Sequence, residues 1–277
     1  TELSPGVDRA SPESSTAFDL EGNARPSSGE SLPDIGCYES SFGNSETAAA
    51  TRLLVPKEYP TIQNAIGAAV AGDTVLIADG HYYENLIIEN QSIILASYFL
   101  LDNDTSHIEN TIIDGDQKDR VIYISNIIED TTSIFCGFTI INGLAANGGG
   151  MYLYNSNPKM YNLVISNNQA NADQNHNYGG GIFLRESNPE MTFITISGNM
   201  ATESGGGMYL SQNSNPLMSD VKILLNKAVQ GNGGGLSINN SSPMIKNSTI
   251  SNNIASEWSG GGISVGNGSS PLMIDLI

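Results

Sequence analysis

Five glycine triplets punctuate the second half of the chain, at Gly148-Gly149-Gly150, Gly179-Gly180-Gly181, Gly205-Gly206-Gly207, Gly233-Gly234-Gly235 and Gly260-Gly261-Gly262. Their first members lie 31, 26, 28 and 27 residues apart. A fixed period of that length means a solenoid, in which each unit buries its apolar side only by stacking on its neighbours.

Each triplet opens an alternating run, such as Met151-Tyr152-Leu153, Ile182-Phe183-Leu184 and Met208-Tyr209-Leu210. Alternation of that kind is a short strand with its first and third side chains turned inward. A turn ending in proline follows, at Ser156-Asn157-Pro158, Ser187-Asn188-Pro189, Ser214-Asn215-Pro216, Ser241-Ser242-Pro243 and Ser269-Ser270-Pro271. Small polar residues with Pro are turn chemistry and end one strand before the next. Beyond the proline, apolar residues fall at the second, fifth and seventh positions, as in Met160, Leu163 and Ile165 or Met191, Ile194 and Ile196. The change of phase requires a bend at the fourth position, where Asn162, Asp220 and Asn247 tolerate a left-handed backbone. The unit closes on Ile-x-x-Asn-x-Ala, so three short strands and three turns are expected in each.

A unit of about 27 residues with no helical period fits one coil of a single-stranded parallel β-helix, an all-β solenoid. Stacking the coils places Asn168, Asn199, Asn226 and Asn253 above one another, where side-chain amides can bond along the stack as a ladder. The glycines supply the positive φ that a sharp corner needs. These repeats resemble those of the chlamydial polymorphic outer-membrane proteins and related bacterial β-helix passengers, with their Gly-Gly-Ala-(Ile/Leu/Val) and Phe-x-x-Asn motifs. Here a third glycine replaces the alanine and isoleucine replaces the phenylalanine, over roughly residues 138 to 277. The resemblance implies a right-handed β-helix exported to the cell surface, often serving adhesion.

Upstream, Ile62, Ala65, Ile66 and Ala69 fall at helical spacing behind Thr61 in the N-cap position, predicting a short N-terminal helix that caps the open end of the core. The phrase Pro60-Thr61-Ile62-Gln63, continued by Gly72-Asp73-Thr74-Val75 and Gly80-x-Tyr82-x-Glu84-Asn85, resembles the N-terminal region of pectin-lyase-like proteins, a superfamily of enzymes and non-enzymes. Residues 1 to 50 are acidic and rich in Ser, Pro and Gly, as a solvated linker would be. Their Asp34-Ile35-Gly36-Cys37-Tyr38-Glu39 nevertheless resembles the closing segment of bacterial β-helix domains, whose usual motif has Ala in place of Cys37. Residues 51 to 277 are then a second β-helix. It stops mid-coil at Ile277, as expected of a slice from a longer multidomain chain.

A net charge of −18 with only 11 Lys and Arg argues against binding nucleic acid or an anionic membrane, both of which need clustered basic residues. No apolar run is long enough to insert in a bilayer. An acidic, Lys-poor surface suits a secreted or cell-surface protein. Cys136, in Ser133-Ile134-Phe135-Cys136-Gly137, reads as a buried free thiol.

Enzymes of the fold need two or three convergent carboxylates, or an Arg or Lys base beside Ca²⁺. The outward positions of the glycine strands hold instead Tyr152, Phe183, Tyr209, Ser237 and Ser264, then Tyr154, Arg185, Ser211, Asn239 and Gly266. No catalytic residue is assigned. Asp114-Gly115-Asp116 is the nearest approach to a Ca²⁺ motif and reads better as an Asx turn, so no metal or cofactor is expected. His81, His107 and His176 read as solvated turn residues. The aromatics are candidates for stacking on sugar rings, with Tyr152, Phe183 and Tyr209 about 4.8 Å apart and Tyr154 and Arg185 beside them, or for a self-stacked ladder that only stiffens the rod. Tyr178, in the variable loop 171–178, and Trp258, in the corresponding place before the last triplet, line the edge where solenoids bind ligands. The expected role is structural, adhesive or carbohydrate-binding, toward a polysaccharide or cell-surface glycan. The alternative is a polysaccharide lyase or glycoside hydrolase.

Overall fold

Because every coil of the repeat presents the same alternating residues at the same places, its strands pair only with their equivalents one coil away, in register and in parallel. A computed structural model describes residues 50–127, 133–172 and 176–277. The chain divides at Ala49 and Ala50, and the expectations placed on residues 1–49, Cys37 included, lie outside the described residues.

Four parallel sheets run along the Ala50–Ile277 unit. A long nine-stranded sheet extends from Arg52–Val55 to Leu272–Ile274. A seven-stranded sheet, called the groove sheet below, holds Leu86–Glu89, Ile122–Ser125, Met151–Tyr154, Ile182–Arg185, Met208–Ser211, Leu236–Ile238 and Ile263–Val265. A third sheet of seven runs from Gly80–Tyr83 to Thr249–Ser251. The fourth, a corner sheet of five two-residue strands such as Gln169–Ala170, was not expected: the closing x-Ala pairs Ala145, Ala170, Ala201, Ala228 and Ala255 across coils, adding a fourth strand to the three read from the pattern.

Inward side chains form continuous columns. Ile122, Met151, Ile182, Met208 and Leu236 stack in one, and Phe135, Met160, Met191, Met218 and Ile245 in another, all essentially inaccessible to solvent. Each such side chain contributes about 1.5–3 kcal/mol by leaving water. The fourth position after each proline is left-handed as expected, with φ of 53° at Asn162, 54° at Asp220 and 48° at Asn247. Gly179 adopts φ +66°, the corner role expected of a glycine. Gly181 has a different reason to be glycine, since a Cβ there would stand 2.6 Å from Gly207 O and 2.9 Å from Asn199 Nδ2.

Three side-chain ladders tie the coils. In the buried one, Asn168, Asn199 and Asn226 each donate from N and Nδ2 to Oδ1 of the asparagine one coil on, at 2.9–3.1 Å. A serine ladder matches it: the N–H groups of Ile127, Ser156, Ser187, Ser214 and Ser241 donate to Oγ of Ser156, Ser187, Ser214, Ser241 and Ser269. A third, exposed ladder runs through the Oδ1 atoms of Asn157, Asn188 and Asn215.

The N-terminal end is closed by helix α1, Ile62–Ala68, whose Ile62, Ala65 and Ile66 are buried on the core. Thr61 Oγ1 accepts from Asn64 N at 3.1 Å, the N-cap bond its position predicted. The Glu84 carboxylate accepts from Ile62 N and Gln63 N at 2.8 and 2.9 Å. Gln63 in turn pairs with Ile87 through both N and O, standing in for a missing strand at the edge of the groove sheet. Asp73 accepts from Thr51 N, Thr51 Oγ1 and Val70 N, and these backbone donors hold its carboxyl below the usual range. Tyr82 Oη donates to Ala78 O, and Asn85 Nδ2 reaches the carbonyls of Asp119 and Arg120.

Candidate functional site

The outward residues of the groove sheet form an aromatic column, because the register sets Tyr123, Tyr152, Phe183 and Tyr209 side by side on successive coils. Tyr123 meets Tyr152 edge-on at 5.6 Å, and Tyr152 meets Phe183 at 4.8 Å with planes at 89°. Phe183 then lies parallel to Tyr209, 1° apart in plane and 5.5 Å between centroids, and Tyr178 stacks on Tyr209 at 4.6 Å. The rings therefore spend their faces on one another. Phe183 and Tyr209 retain only 7% and 8% exposure, so the open flat platform that equal spacing suggests is not what the column presents.

Two guanidinium groups converge on Tyr152. Arg120 Cζ sits 5.0 Å from its ring centroid and 5.5 Å from that of Tyr123. Arg185 bonds to the Tyr152 hydroxyl and lies 5.3 Å from the Tyr154 ring. Burial pushes the Tyr152 phenol up, and the bond from Arg185 opposes it. Arg185 Nε also donates to Gln212 Oε1.

A concavity opens at each end of the column. One, of about 340 Å³, is lined by Asn85, Leu86, Ile87, Asp119, Arg120, Tyr123 and Tyr152. The other, of about 510 Å³, is lined by Asn147, His176, Tyr178, Phe183, Arg185, Tyr209 and, toward the turn, Ser211, Gln212, Asn239 and Asn240. Asn239 Nδ2 donates to Tyr209 Oη at 3.1 Å, which ties the amide to the end of the column. Burial pushes the Tyr178 phenol up, as does its bond to Glu203, whose carboxylate also accepts from His176 N at 3.2 Å.

The second concavity thus gathers Tyr178, Phe183, Arg185 and Tyr209, whereas Tyr152 belongs to the first. Tyr154 lines neither and stands beside the second through Arg185. Trp258 is 65% exposed and lines neither. Arg120 and Tyr123 were missed because they precede the first glycine triplet, although Ile122-Tyr123-Ile124 repeats the alternation of Met151-Tyr152-Leu153.

Two of the histidines are not the solvated turn residues expected. His81 lies on the strand Gly80–Tyr83, stacks on Tyr83 at 4.4 Å and bonds Asp114 Oδ2 at 2.7 Å. His107 bonds Asp79 at 2.6 Å and Asp102 at 3.2 Å. Asp114 Oδ1 accepts from Asp116 N, an Asx turn, while Asn142 Nδ2 donates to its Oδ2. Among the described residues no group of three or more His, Cys, Asp or Glu could hold a metal ion. Cys136 is free and buried, its thiol pushed up to about 11 by burial.

The sequence profile of the right-handed β-helix region matches residues 57–275. The chain belongs to that family. No curated protein matches it. Among solved structures, this β-helix is similar to a pectin methylesterase mutant in complex with hexasaccharide IV, at 16% identity and a TM-score of 0.34 over 80% of this chain. It is also similar to a pectin methylesterase in complex with hexasaccharide VII, at 15% identity and a TM-score of 0.34 over 81%. It spans 60% and 66% of those two chains.

Proposed function

We propose that this β-helix is a non-catalytic, secreted or cell-surface scaffold, structural or adhesive, that binds polysaccharide or cell-surface glycan along its groove sheet. The observation that carries the reading is the column Tyr123, Tyr152, Phe183 and Tyr209, edged by Arg120 and Arg185 and opening at both ends into concavities lined by amides and hydroxyls. Ring edges and the exposed part of Tyr152 offer apolar contact to a sugar, and Asn147, Gln212, Asn239 and Asn240 offer bonds to its hydroxyls. The lining favours binding over hydrolysis. Its one carboxylate among the described residues is Asp119, 3.6 Å from Arg120, and hydrolysis needs a second. No metal or cofactor enters this reading.

The test is a glycan array probed with the chain and with a Tyr152→Ala, Arg185→Gln double variant. Binding should weaken at least about tenfold, or 1.4 kcal/mol. Equal binding by both proteins removes the groove from consideration.

A further inference from the structure

We propose a second glycan-contacting site on the long sheet, built on Phe193 and independent of the groove. The fourth position after each of the five repeat prolines is left-handed: φ is +53° at Asn162, +54° at Phe193, +54° at Asp220, +48° at Asn247 and +51° at Asp275. Gly, Asn and Asp visit that region readily, whereas a bulky side chain is strained there. Core packing does not hold Phe193 in place, since it is 58% exposed. The backbone ladder does not require it either, because its N–H donates to Ser219 O just as Asn162 N donates to Thr192 O. Leu225 is likewise left-handed, at φ +57°, and 65% exposed, but at Phe193 the strain coincides with a concavity, and that conjunction points to function.

The Phe193 ring walls a concavity of about 270 Å³ shared with Lys159, Tyr161, Asn162, Glu190 and Thr192. Tyr161 is held rigid there by a bond between its hydroxyl and Cys136 and by edge contact with Phe99 at 6.4 Å. Lys159 and Glu190 are register partners on adjacent strands, so residues of opposite charge border the concavity. A ligand of either sign gains from one and loses to the other. The lining is mainly apolar, with two aromatic side chains at its wall and Lys159, Asn162, Glu190 and Thr192 bordering it, which matches the apolar face of a neutral pyranose laid on the rings. Since the long sheet and the groove sheet are different faces of the coil, a chain with both sites is bivalent toward glycan.

Calorimetric titration with neutral hexasaccharides of glucose, mannose, xylose and N-acetylglucosamine tests the site in the full chain. In the Tyr152→Ala, Arg185→Gln chain, whose groove is disabled, at least one should still bind, and adding Phe193→Asn or Glu190→Gln should weaken that binding at least tenfold. Phe193→Asn should also raise the melting temperature, since asparagine relieves the strain and keeps every backbone bond. Three results overturn the proposal: no binding of any of the four sugars, binding unaltered in Phe193→Asn, or a lower melting temperature for that variant. Binding by the wild type that vanishes in the groove-disabled chain counts for the groove and against this site, so the two readings fail separately.

Discussion

Asn199 shows how much one amide does inside a solenoid. Its Oδ1 accepts from Asn168 N and Nδ2, its Nδ2 donates to Ile165 O and Asn226 Oδ1, and its N donates to Asn226 Oδ1. Alanine would leave the two Asn168 donors and the Ile165 carbonyl without these partners in a site closed to solvent, at a cost of about 2–4 kcal/mol. Aspartate keeps the acceptor but turns a carboxylate oxygen toward Ile165 O and Asn226 Oδ1, with no proton to share. Burial raises the pKa of such a carboxyl, so its protonated form, which can donate, prevails only as pH falls. Thermal melts should show Asn199→Asp destabilised more at about pH 7 than at about pH 4, each against wild type at the same pH, whereas Asn199→Ala should lose a similar amount at both. An equal loss for Asn199→Asp at the two pH values would mean that donation from Nδ2 is not what the ladder requires.

At the scale of the element, the excursion between the strands Ile94–Ser97 and Thr111–Asp114 departs most from the repeat. Its two short helices, Phe99–Asp102 and Ser106–Asn110, are pinned to the coil by His107, which bridges Asp102 and Asp79. The bond to Asp79 raises the His107 pKa above 6.5, burial opposes it, and Asp102 adds to it. A pKa raised on folding contributes stability that is present in full below the unfolded value of about 6.5 and fades as pH rises through the folded one. His107→Gln should therefore lower the melting temperature at about pH 5.5 and make little difference near pH 9. The effect is modest, since the carboxylates are 42% and 51% exposed. The opposite trend would remove the salt bridge as the pin.

None of this was legible in sequence, because neither Asp79 nor His107 falls in a recurring pattern of residues that would relate them. Where a period exists, reading succeeded: the buried asparagines, the inward columns and the left-handed corners all follow from positions that recur. The serine ladder hid in plain view, since Ser before Asn-Pro is already accounted for as turn chemistry and its cross-coil acceptor role adds nothing to the local pattern. In the phrase from Pro60 to Asn85 the helix is legible from its spacing and its N-cap, whereas the roles of the polar residues after it are not. Its physical content is the cap, in which Thr61, Gln63, Asp73, Tyr82, Glu84 and Asn85 each satisfy backbone groups that the first coil cannot pair. The aromatic column was half legible, because strand alternation points the rings outward but does not say that they turn edge-on and bury one another.

Across the whole β-helix, each coil touches only its neighbours, so stability is a sum of unit and interface terms rather than one indivisible core. Ile182, Leu184, Met191, Ile194 and Ile196 in the middle are inaccessible to solvent. Toward Ile277 the equivalents loosen: Ile250, Ile263 and Met273 are only partly buried, and Val265, the register equivalent of Leu184, is exposed. The opposite end differs, since α1 covers Leu53 and Val55 and they remain buried although Arg52–Val55 is also a terminal strand of its sheet. Amide exchange in the native state should therefore be graded and lopsided. Protection should peak across Met151–Ser211, fall steadily toward Leu272–Ile274, and stay higher at Arg52–Val55 than at Leu272–Ile274. Weakening the cap with Glu84→Ala should lower protection at Arg52–Val55 first and leave Ile182–Arg185 unchanged. Uniform protection along the rod, collapsing everywhere at once in Glu84→Ala, would show instead that the coils open as a single cooperative unit and that the cap guards all of them equally.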